Sequence, residues 1–134
     1  MLTTVSGKQL KIFLWLVTLH SIGVGFGLIL LPVEYLAYFG FSGYTASFFQ
    51  AQGGVFHLVM SVAYILAAKY LEKSPGLMQF VITAKTMAFI FLVFYYLLAE
   101  KIAMVLLSAL GDGLMAVIMY LLYNAYRKQT VGAG

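Results

Sequence analysis

Apolar residues fill four stretches of this chain, each about as long as a bilayer is thick, and the polar residues gather mostly between them. The stretches run from Ile12 to Leu31, from about Phe48 to Ala68, from Leu77 to Ala99 and from Ile102 to about Tyr126. A helix of roughly 20 apolar residues crosses a hydrocarbon core about 30 Å thick, so each stretch predicts one membrane span. Punctuation agrees: Lys11 and Pro32 bracket the first, Lys69 ends the second and "RKQT" closes the fourth. "KSPG" precedes the third, where Ser74 is placed to cap and Pro75 suits the first helical turn. Glu100 and Lys101 alone separate the third and fourth, which predicts a tight antiparallel hairpin. The expected fold is all-α: one antiparallel bundle of four transmembrane helices forming a single domain over 1–134, with 127–134 as a tail.

The longest connection, residues 32–47, reads "PVEYLAYFGFSGYTAS". Its Tyr35, Tyr38, Phe39, Phe41 and Tyr44 suit the membrane interface, where amphipathic rings anchor. A short interfacial helix ending near Gly40 is expected there, serving as an aromatic belt in preference to a lid.

Four residues break the apolar pattern inside the spans. With a rise of about 1.5 Å per residue, His20 lies about 12 Å from one end of its span, His57 about 14 Å, Lys85 about 12 Å and Asp112 about 15 Å. Each helix thus contributes one ionisable side chain near the midplane. Small and polar residues share their faces: Gly23 and Gly27 follow His20 at helical spacing, and Gln50, Gly53, Gly54, Ser61 and Tyr64 accompany His57. Ser108, Gly111 and Gly113 flank Asp112. Small residues let membrane helices approach closely, so these faces are expected to point inward and gather the four ionisable groups into one layer.

Composition strengthens this picture. Of 134 residues, 63% are hydrophobic and 9% charged, with mean hydropathy +0.99, far from the balance of a soluble domain. Cysteine is absent, which excludes disulfides, thiolate metal sites and thiol redox chemistry. The net charge of +4 comes largely from Lys8, Lys11, Lys69, Lys73, Arg127 and Lys128, all on one side of the predicted bundle. The positive-inside rule then puts both termini in the cytoplasm, with a bacterial inner membrane as the expected location and nucleic acid not expected as a partner.

An ion at the bilayer centre costs roughly 2.5–3.5 kcal/mol on insertion scales, so Lys85 and Asp112 are expected to pair. Two readings of the layer stand. It binds a small ligand or relays protons through His20, His57, Lys85 and Asp112, with Gln50, Ser61, Tyr64 and Ser108 in support. Alternatively, the ion pair is structural glue in an accessory or assembly subunit of a larger membrane complex. Bis-imidazole haem ligation by His20 and His57 is a third reading, and a metal held by His20, His57 and Asp112 ranks below it because Lys85 stands nearby. No nucleophile, base and oxyanion donor come together in the sequence, so an enzyme is not the expectation. Four short helices enclose little volume, which favours a homo-oligomer or membership of a complex. In length and hydropathy the chain is similar to the small four-span bacterial proteins grouped near DoxX; no motif is shared, so no residue role follows.

Overall fold

The computed structural model describes residues 5–131. Four long helices appear, α1 (Val5–Leu30), α2 (Phe48–Lys69), α3 (Pro75–Leu98) and α4 (Ala103–Val131), with no strand among the described residues. All four are long and apolar enough to cross a membrane, and the chain is read as a multi-pass membrane protein. Helix α1 starts earlier than its apolar stretch and α4 runs past Tyr126 through Arg127 and Lys128. Hydropathy marks the part of a helix that lies in lipid, whereas the hydrogen-bond ladder continues until something stops it. Of the expected tail, 127–131 therefore belongs to α4, and 132–134 lies outside the described residues.

The connections follow local chemistry. A 3₁₀ helix (Val33–Phe39) follows Pro32 and stops at Gly40, whose φ of 91° is the left-handed conformation that glycine adopts without strain. Backbone N–H groups of Gly40 and Phe41 donate to the carbonyls of Ala37 and Leu36 there. Tyr35, Tyr38, Phe39 and Tyr44 are exposed, as an interfacial belt requires. Pro75 does begin α3, but Ser74 makes no side-chain capping bond; its backbone carbonyl accepts from Leu77 N–H instead. Residues 99–102 turn α3 into α4.

Helix α1 packs mainly on α2 and also on α4, and α3 packs mainly on α4; of the neighbouring pairs, α2 and α3 touch least. The α1–α2 seam is backbone-close. A Cβ on Gly54 would stand 2.6 Å from the Gly25 carbonyl oxygen, and one on Gly25 would meet the Leu58 side chain at 2.8 Å. On the other side Gly113 admits the Phe89 ring, 2.8 Å from where its Cβ would be.

Burial is lopsided along the bundle axis. The core of Leu10, Leu14, Val17, Ala67, Leu71, Met78, Val81, Met119 and Tyr123 occupies the half nearest the described chain ends. In that half the start of α1 and end of α4 meet the α2–α3 turn. On α3 the buried residues are Met78, Val81 and Lys85, and none follows Lys85. The bundle is closed in one half and splayed between α2 and α3 in the other.

Candidate functional site

Where the packed half ends, a cavity of about 470 Å³ begins, open along one side. Its walls come mainly from α2 (Gly53, Phe56, Met60) and α3 (Ala88, Phe91, Leu92), the neighbouring helices in loosest contact. Its floor is polar. Lys85 is 4% exposed, and its Nζ donates to Asp112 Oδ1 across the α3–α4 interface, a buried ion pair. The Lys85 ammonium also stands 5.9 Å from the centroid of the Tyr64 ring, within cation–π reach. His57 lines the wall half-buried, and Ser21 lines it from α1. The Ser21 hydroxyl is buried and has no hydrogen-bond partner.

Depth puts the ion pair in mid-membrane. Lys85 lies ten residues into α3 and Asp112 nine into α4, about 15 Å and about 14 Å from the respective helix ends. A free ion there would be costly, and the partner across the interface is what makes the position tenable.

The expected four-residue layer is corrected at His20. Its depth suits, but it faces outward: His20 is exposed and does not line the cavity. Gly23 and Gly27 share that outward face, and nothing lies within 4 Å of a Cβ on either. The inward stripe of α1 is Thr18, Ser21 and Gly25, all buried and set at the same spacing. Successive residues sit about 100° apart around a helix, so the neighbours of the predicted stripe form the packing face. A scan for every small or polar triplet of that period, and not for the ionisable one alone, finds Ser21.

Other residues divide in the same way. Tyr64, His57 and Gly53 line the cavity, with Lys85 and Asp112 at its floor. Ser61 is buried on α2 and donates to the Leu58 carbonyl. Gln50 serves elsewhere: its Nε2 donates to the carbonyls of Leu28 (2.9 Å) and Leu31 (2.7 Å) at the end of α1. Ser108 is exposed on α4, away from the cavity, and a Cβ on Gly111 would meet only the Met115 side chain, at 4.0 Å. His57 lines the cavity and His20 does not, so the two imidazoles do not face each other across it, as the bis-imidazole reading expects. Among the described residues no three His, Asp or Glu side chains converge as metal ligands, which also removes the geometry expected of His20, His57 and Asp112.

Comparison with known protein families, with characterised proteins and with solved structures finds no match to this chain. The likeness in size and hydropathy noted above gains no support from it.

Proposed function

We propose that this chain is a membrane protein that binds a small ligand in the cleft between α2 and α3, using Lys85, Asp112, His57, Tyr64 and Ser21 as the polar end of the site. The observation that carries this reading is the position of the ion pair. It forms the floor of an open cavity and is not sealed within the packed half. Ionisable groups are costly at this depth, so a pair that borders an open cleft and is not packed over by apolar side chains is placed to meet a polar group of an occupant. Proton relay has less support, because Leu10, Leu14, Met78, Val81 and Met119 fill the half between this floor and the face bearing the chain ends.

The outward face of α1 supports assembly. His20 at mid-depth beside two uncovered glycines is a poor surface to offer lipid and a good one to offer another helix. A second copy of this chain is the partner proposed for it. In this reading Lys8, Lys11, Lys69, Lys73, Arg127 and Lys128 orient the termini toward the cytoplasm of a bacterial inner membrane.

The test is to purify the protein and an Ala88→Trp variant in mild detergent and compare organic extracts by mass spectrometry. Ala88 lines the cleft, and an indole there fills it. A small molecule that accompanies the parent protein and is absent from a folded Ala88→Trp variant is the expected result. Identical extracts from two folded proteins would show that the ion pair is structural glue.

A further inference from the structure

The cleft's mouth and floor differ in chemistry, and together they define what can enter. The cavity-lining residues that also face outward are apolar: Phe56 of α2 is 61% exposed and Phe91 of α3 63%. An opening framed by such residues at membrane depth meets hydrocarbon, not water. It also lies in the half of the bundle away from the described chain ends, where α3 buries nothing beyond Lys85.

The floor sums to no charge. Lys85 and Asp112 cancel whether both are ionised or the proton has passed between them. A net-charged group brought from water to such a floor loses its hydration and gains no counter-charge, because each floor ion is already matched. A neutral polar group meets unused capacity instead. Lys85 has three N–H donors and spends one on Asp112, the carboxylate accepts at both oxygens, and Ser21 carries a buried hydroxyl with no partner. That orphaned hydroxyl points to a missing polar atom, since buried polar groups are rarely left unpaired.

Resting on the ligand-binding reading above, we infer that the ligand is an uncharged amphiphile dissolved in the bilayer, with a hydroxyl or carbonyl head. It enters sideways between α2 and α3. The head reaches Lys85, Asp112 and Ser21, and the apolar body lies along Phe56, Met60, Phe91 and Leu92 with its end in lipid. An area of apolar wall this large would contribute affinity at roughly 25 cal/mol per Å² only relative to water, so from lipid it is the head that selects.

The test uses three photoactivatable probes of one chain length, a diazirine-bearing C16 alcohol, acid and amine, in phosphatidylcholine vesicles containing the full chain. Cross-links are mapped by mass spectrometry. The alcohol should label Phe56, Met60 and Leu92 at least tenfold more than the acid or amine does, and Ala88→Trp should abolish that labelling. In Lys85→Met/Asp112→Leu, which keeps the cleft's volume and removes its polar floor, the alcohol's advantage should vanish. Equal or stronger cleft labelling by the acid or amine would overturn the neutral-head assignment. Labelling by a short, water-soluble diazirine alcohol with exclusion of the C16 probe would overturn the lateral route and leave ligand binding standing. If no probe enters and the extracts of parent and Ala88→Trp proteins are also identical, both readings fall; if the extracts differ, only this inference does.

Discussion

Lys85 and Asp112 hold each other in a place neither could occupy alone. Asp112→Leu would strand a lysine that is 4% exposed, and breaking a buried pair in this way costs about 3–5 kcal/mol. Lys85→Met/Asp112→Leu removes both ions and should unfold less readily than Asp112→Leu alone. A double-mutant cycle on unfolding in bicelles measures the difference; additive single effects would mean that the two side chains do not stabilise each other. This pair was legible in the sequence because depth is arithmetic: rise per residue converts a position in a span into ångströms. Direction was not. His20 has the right depth, but lipid is as apolar as a bundle core, so a span gives little periodic contrast to say which way a residue faces.

Between elements, close approach is set by single glycines. Gly54→Ala puts a methyl into the Gly25 carbonyl, which is backbone of the facing helix and cannot swing aside. Overpacking of this kind costs about 1–3 kcal/mol. Gly23→Ala meets nothing within 4 Å and should leave the monomer's stability undiminished, or raised by up to about 1 kcal/mol through the helix propensity of alanine. Thermal unfolding of the two variants in detergent distinguishes them, and equal loss would refute the assigned seam. The helices themselves, the hairpin turn at 99–102 and the 3₁₀ segment stopping at Gly40 follow from hydropathy, proline and glycine. Which small residues lie in the seam does not, because glycines at helical spacing serve a contact within the bundle and a contact between bundles equally well.

For the whole molecule, the uneven packing separates a closely packed half from an accessible one, and the outward α1 face is the place proposed for a second copy. The absence of cysteine makes that proposal simple to examine. Gly27→Cys should form disulfide-linked dimers in membranes under mild oxidation, whereas Val117→Cys, exposed on α4, should not. Comparable cross-linking at both positions would indicate random collision and remove the α1 interface. The splayed half could not be read from the sequence, since both α2 and α3 are apolar enough to face lipid or each other.

The Gln50 side chain of α2 holds the end of α1 in place of the loop between them. Helix α1 has no basic residue in its last turn, and the amide that satisfies two of its terminal carbonyls comes from the next helix. The register of α1 against α2 is thereby fixed by a clasp at the top of the hairpin and by glycine contact below it. The intervening segment, residues 32–47, is relieved of that task. Its exposed Tyr35 and Tyr38 are then open to exchange to suit the thickness and headgroups of a different membrane, with the ion-paired cleft left in place beneath them.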